Sequence, residues 1–224
     1  TTVQLRALES NDLPGIGTDV LGALSGAQIG ALTSGQLSAL TDAQWQSLGS
    51  AQLRGLGSAQ LQSLGTETLN LLTTDQFQAL SSAQIAALTT AQFANLGGDD
   101  LAALTTTQVR SMELRDIAVL DSGDLASMLP SQLAALGSAQ LRALATDALA
   151  GLGATALAAL GTAQVAALSN SQLAALASDQ MQALTTNQVR ALGTAQLAAL
   201  GSDDLNQLSS QQFAALGSAQ VGAL

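Results

Sequence analysis

The sequence predicts an all-α solenoid of short helices, one for every eight residues. Three observations lead there. The 224 residues divide from Thr1 into 28 octads without an insertion or deletion, and position five of every octad is apolar. Position eight is Leu in 25 octads, the exceptions being Ile16, Met112 and Met128. Ala and Gln, frequent at positions three, four, six and seven, join Leu among the strong helix formers. The stretch 161–200 displays the unit most cleanly, as GTAQVAAL, SNSQLAAL, ASDQMQAL, TTNQVRAL and GTAQLAAL.

One continuous helix does not fit this period. At about 100° per residue, eight residues overshoot two turns by about 80°, so the Leu stripe would circle the helix and face no fixed partner. The helix must therefore break once per octad. Positions four, five and eight then share one side and form the core face, while three, six and seven lie opposite. Ala at three and seven gives a low surface that another helix or chain can approach closely. Five of the six Arg (Arg6, Arg54, Arg110, Arg142, Arg190) stand at position six, the expected solvent edge, and Arg115 is the exception.

Position one is Gly in 11 octads and Ser or Thr in 11 more. One reading makes the Gly a left-handed helix end, followed by a Ser/Thr cap of the next helix. The other makes position one itself the cap of a capping box, as in Thr33 with Gln36, Thr41 with Gln44 and Thr185 with Gln188. Both put the break at positions one and two, leaving a helix of about six residues. Such a unit cannot stand alone, because burying two large apolar side chains returns less than ordering eight residues costs. Coil stacked on coil covers the Leu face. Neither the Gly positions nor Trp45, Phe77, Phe93 and Phe213 reveal a longer period that would give the octads per coil.

Along the chain, residues 1–24 are degenerate, with Pro14 at position six and Val20 where Gln is usual, and ESNDLPGI (9–16) is expected to be distorted. The repeat is regular from 25 to 112. It is weakest from 113 to 130 (ELRDIAVL, DSGDLASM, Leu129-Pro130), where a bend is expected, and regular again from 131 to 224. Residues 1–224 read as a single helical-repeat solenoid with irregular units at 9–16 and 113–130. The chain starts and stops on octad boundaries without a signal peptide or initiator Met, which suggests a processed subunit or a piece of a longer array.

Composition narrows the function. Sixteen Asp and Glu face six Arg, for a net charge of −10, so neither nucleic acid nor an anionic lipid surface is an expected partner. Cys and His are absent, which removes disulfides, thiolate and imidazole metal ligands and the usual general base. No catalytic, cofactor or metal residue is assigned, and the chain is not expected to be an enzyme. No apolar run approaches a membrane span, so membrane insertion is not expected.

Gln fills position four in 19 octads, beside the Leu stripe. Stacked coils would bring these amides into rows, bonded to one another or to the turn backbone. Acidic groups gather at Asp99-Asp100, at Glu113, Asp116, Asp121 and Asp124, and at Asp203-Asp204. Calcium is the weaker reading of them, since Asp in a first helical turn is stabilised by the helix dipole. Ser and Thr at positions one and two read as caps, and a regular hydroxyl face is the lesser alternative. Trp45, Phe77, Phe93 and Phe213, all at position five, read as core.

Strings such as LSSAQIAALTTAQF (80–93) and LTTNQVRALGTAQLAAL (184–200) resemble the Leu-Thr-Thr-x-Gln-Val/Ile-x-Ala-Leu repeats of very large bacterial surface and secreted proteins. The resemblance spans essentially the whole chain and implies a bacterial extracellular stalk, adhesin segment or filament. It brings no functional residues with it, and units 9–16 and 113–130 depart from the pattern. The expectation is a structural protein that associates with itself, end to end or laterally, at a cell surface. An adhesin-like solenoid that binds a protein partner is the alternative.

Overall fold

The computed structural model describes the whole chain, Thr1–Leu224. It consists of 27 α-helices and one 3₁₀ helix, one per octad and four to six residues long, with no strand. Each helix begins at position two, after a position-one residue with extended backbone, for example Thr33 (φ −74°, ψ 161°) and Gly161 (φ −69°, ψ 155°). Extended backbone also marks position eight, as at Leu192 (φ −62°, ψ 137°). Two consecutive extended residues thus turn the corner between helices.

This corner corrects the reading of Gly as a left-handed helix end. No residue of the chain, glycine included, has a positive φ. A left-handed residue reverses the chain direction abruptly, whereas a coil needs the shallower corner that extended residues supply. Gly, Ser and Thr share position one because all three serve as N-caps.

The core runs along positions five and eight. Position five is at most 1% exposed in every octad from Leu13 to Leu197, Trp45, Phe77 and Phe93 included. Phe213, in the last 28 residues described, breaks the expectation at 39% exposed.

Within each compact unit, helices pack on the helix three octads away, as Ser82–Ala86 does on Thr106–Ser111 and Thr162–Ala166 on Thr186–Ala191. Small residues make this stacking close. Positions two and six of the earlier helix meet positions three and seven of the later one, and a Cβ on Gly55 would collide with the Gly26 main chain. Ala at three and seven therefore has the role read from the sequence.

The chain forms two compact units, Thr1–Met112 and Glu113–Leu224. In the first, ESNDLPGI is distorted as expected, into the 3₁₀ helix Ser10–Gly15 that contains Pro14. The second begins with the irregular octads, where Leu114–Ile117 lacks a side-chain cap and Asp121 caps Ser122–Ser127 by accepting from the Asp124 amide at 2.9 Å. Pro130 occupies the first turn of Pro130–Ala135, the position where its missing N–H costs nothing. No helix is long and apolar enough to cross a membrane.

Candidate functional site: the amide lattice between coils

Position four carries the chemistry of this fold. Gln36 is typical: its Oε1 accepts from the Thr33 amide at 2.8 Å, and its own amide donates to Thr33 Oγ1 at 3.2 Å. Its Nε2 donates to the carbonyls of Leu5 at 2.7 Å and Leu8 at 2.9 Å, 31 and 28 residues earlier. The same set recurs at Gln92, whose Nε2 reaches Leu61 at 2.8 Å and Leu64 at 2.9 Å, and at Gln172, which reaches Leu141 and Leu144 at 2.9 and 2.8 Å. Each of these glutamines closes its own helix with one end and the preceding coil with the other. Of the two roles open to the amide row, backbone capping is the one observed.

The chemistry explains the residue choice. The position-eight carbonyl sits in the extended corner, outside the helical ladder, and a buried carbonyl needs a donor. Glu could only accept and Lys could only donate, whereas an amide does both. The sequence separations also give the coil. Stacking at three octads combined with amide bonds reaching four octads back puts between three and four octads, near 28 residues, in each coil.

Position six adds a second set of ties. Arg6 Nε donates to the Ala31 carbonyl at 2.8 Å and Arg54 Nε to Ala79 at 2.9 Å, while Gln62 and Asn70 reach Ala87 and Asn95 at 2.9 Å, all 25 residues onward. These residues lie at the exposed edge, as read, but their polar atoms hold the next coil.

Asp at position four performs half of the glutamine's task. Asp100 accepts from the Gly97 amide at 3.2 Å, Asp124 from Asp121 at 2.9 Å and Asp204 from Gly201 at 3.3 Å. None offers a donor to the coil below. Burial pushes the Asp100 carboxyl above its ordinary value; the Gly97 bond opposes this and the Asp99 charge adds to it. Asp124 is likewise raised by burial, with Asp121 contributing an opposing backbone bond and a reinforcing charge. Near by, Arg115 pairs with Glu113 at 3.0 Å and lies 3.7 Å from Asp116. No three carboxylates converge where they could hold a metal ion.

Position-one hydroxyls serve as caps, for example Ser169 Oγ, which accepts from the Gln172 amide at 3.1 Å. An open cleft of about 410 Å³ lies between the first and fourth octads, lined by Thr2, Val3, Arg6, Ala27, Gly30 and Ala31. Its one charged group, Arg6, already donates to Ala31.

The coil also exposes a longer period that the Gly and aromatic positions hide. In Thr1–Met112 the acidic residues fall in the second, third, sixth, ninth, tenth and thirteenth octads: Glu9 and Asp12, Asp19, Asp42, Glu67, Asp75, and Asp99 with Asp100. With the adjacent second and third, and ninth and tenth, octads taken as pairs, the acids recur every three to four octads, about one coil. In Glu113–Leu224 they fall at Glu113 and Asp116, Asp121 and Asp124, Asp147, Asp179, and Asp203 with Asp204, at the same interval. Each unit thus carries one acidic octad, or an adjacent pair, about once per coil. Counting acids per octad would have yielded the coil from the sequence.

Short helices wound into coils and tied level to level by a repeated side-chain-to-backbone bond define a helical-repeat solenoid protein. The chain belongs to the ALTTAQ repeat family, which it matches at residues 5–42, 45–82, 69–98, 117–154, 155–186 and 173–209. Residues 87–92 spell that hexapeptide, which holds the corner Leu88, the cap Thr89 and the tie Gln92. No curated protein matches the chain.

Proposed function

We propose that this chain is a structural protein, a self-assembling segment of a filament or stalk at a bacterial cell surface. One observation carries the reading: within each unit coils are joined by the same amide bonds at level after level, from Gln36 to Gln108 in the first and from Gln164 to Gln220 in the second, so stacking is the chain's repeated chemical act. The extracellular setting rests on the Cys-free acidic composition and on the resemblance to repeats of very large bacterial surface and secreted proteins. Electron microscopy at rising protein concentration, with and without calcium, tests it. Fibres of uniform width support the proposal; discrete particles that never associate at any concentration refute it.

The recurrence of acidic octads about once per coil favours a second reading, an adhesin-like module for a basic protein partner. A cationic polypeptide would then bind in a salt-sensitive manner, and Asp42→Asn with Asp75→Asn would weaken it. Binding unchanged by that pair would remove this reading.

A further inference from the structure

The amide ties are not spread evenly through Glu113–Leu224. Between residues 137–160 and the coil that follows, three glutamines in succession donate: Gln172 to Leu141 and Leu144, Gln180 to Leu149 and Leu152, and Gln188 to Leu157 and Leu160. Between residues 113–136 and 137–160 the corresponding positions hold Ala148, Ala156 and Gln164. Only Gln164 donates, to Leu133 at 3.1 Å and Leu136 at 2.7 Å. No group of the chain donates to the main-chain oxygens of Leu120 and Met128, residues only 2% and 4% exposed. The ties from position six are missing as well. Arg54, Gln62 and Asn70 reach 25 residues onward in the first unit, whereas Ala118, Ala126 and Ala134 fill that position here. At the two untied octads, packing alone joins the helices: Leu114–Ile117 lies on Ser138–Ala143, and Ser122–Ser127 lies on Thr146–Ala150. Just past that second helix Gly151 meets Ser122 so closely that a Cβ there would collide with it.

We propose that this interface is a preset opening point, at which residues 113–128 undock from 137–160 while the later coils stay closed. Two contributions resist the opening of any coil interface, apolar burial and buried hydrogen bonds. The first is present here as elsewhere, since positions five and eight remain buried on both sides. The second is reduced to the single tie of Gln164. Opening also brings a gain at this place alone within 113–160: the Leu120 and Met128 oxygens, which lack a donor when the interface is closed, meet water when it parts. A short helix does not persist without its neighbours, so undocking melts Leu114–Ile117 and Ser122–Ser127 together as one local unit. The device needs no second copy. It lets the second unit change conformation at one level, with the three-glutamine interface beyond 160 left intact.

Hydrogen exchange of the full chain under native conditions, resolved by segment, tests it. Amides in 113–128 should be about 10-fold or more less protected than those in 161–176. The double variant Ala148→Gln, Ala156→Gln supplies the two missing donors and should raise protection in 113–128 by about 10-fold or more, with 161–176 unchanged. Should that pair disturb folding, Ala126→Arg adds a tie from the surface instead. Its guanidinium is placed for the Gly151 carbonyl, 25 residues onward, as Arg54 is for that of Ala79, and protection in 113–128 should rise about 3-fold or more. Equal protection of the two segments in the parent would overturn the opening point. So would a folded variant with no gain in 113–128, or a gain shared equally by 161–176, since the interface would then open only with the whole unit.

Discussion

Gln188→Glu isolates the donor half of the lattice. Gln188 is 1% exposed. Its Oε1 accepts from the Thr185 amide at 2.7 Å, and its Nε2 faces the carbonyls of Leu157, Ala158 and Leu160 at 3.2, 3.3 and 2.8 Å. The substitution preserves size and the cap acceptor but turns the amide nitrogen into an oxygen aimed at three oxygens. Leaving buried carbonyls without their donor costs about 1–3 kcal/mol, and holding a carboxylate there adds a similar amount. A loss of about 3 kcal/mol at pH 7 is expected, a fall of about 6–12 °C in Tm for a chain of this size.

The pH dependence has a defined sign. The new carboxyl is raised above its unfolded value of about 4.3, so its cost is present in full above the folded pKa and fades as pH falls through it. Once protonated it donates one O–H, and the deficit against the parent at pH 4 should shrink to about 1 kcal/mol. Circular dichroism melts of parent and variant at both pH values check this. A Gln188→Glu melt within about 2 °C of the parent at pH 7, less than 1 kcal/mol for a chain of this size, or a deficit unchanged at pH 4, would refute the lattice as a source of stability.

Asp100→Gln should stabilise by about 1 kcal/mol at pH 7, by restoring a donor to the Leu69 and Leu72 carbonyls. Because the Asp100 and Asp124 carboxyls are raised above 3.8, the stability they contribute is complete below that value and lost as pH rises through their folded pKa. The parent should therefore gain less from neutral pH than the variant does, as urea midpoints across pH 4 to 7 would reveal. Gly55→Ala should cost about 1–3 kcal/mol by forcing two backbones apart, whereas Gly161→Ser, whose Cβ would meet only the end of the Gln164 side chain at 3.4 Å and whose hydroxyl would add a cap, should gain about 0.5 kcal/mol; equal melts for the two would contradict the stacking geometry. Leu160→Asp buries a charge where a 4% exposed side chain stood and should lower stability by about 4 kcal/mol or more. Unchanged denaturant midpoints would deny Leu160 its core role.

Much of the fold was legible because its rules are local. Positions five and eight must share a helical face, and Thr185 with Gln188 shows its capping box within four residues. The other half of Gln188 was out of reach, since Leu160 lies 28 residues away and no local pattern points to it. Gly161 misled for a different reason. Gly suits both a left-handed helix end and an N-cap, and the deciding clue was its exchange with Ser169 and Thr185 at the same position. Only the N-cap favours all three. Arg54 looked like a solvated edge because a carbonyl partner such as Ala79 leaves no mark in composition. Phe213 matched Phe77 and Phe93 in sequence but not in burial, because burial is set by neighbouring coils that an octad does not itself encode.

The amide ties also decide how the molecule would yield under tension. Pulling along the stacking direction loads the bonds of one coil interface at a time, as a zipper is loaded at its slider. A coil that opens frees about 28 residues, roughly 90–100 Å of slack at about 3.3–3.6 Å per residue, before the next interface bears the load. The expected force trace is a low sawtooth of near-equal steps, with shallower teeth where Thr68, Ala148 or Ala156 stands in place of glutamine. A chain built this way would act as a shock absorber, extending by known increments and rewinding when released.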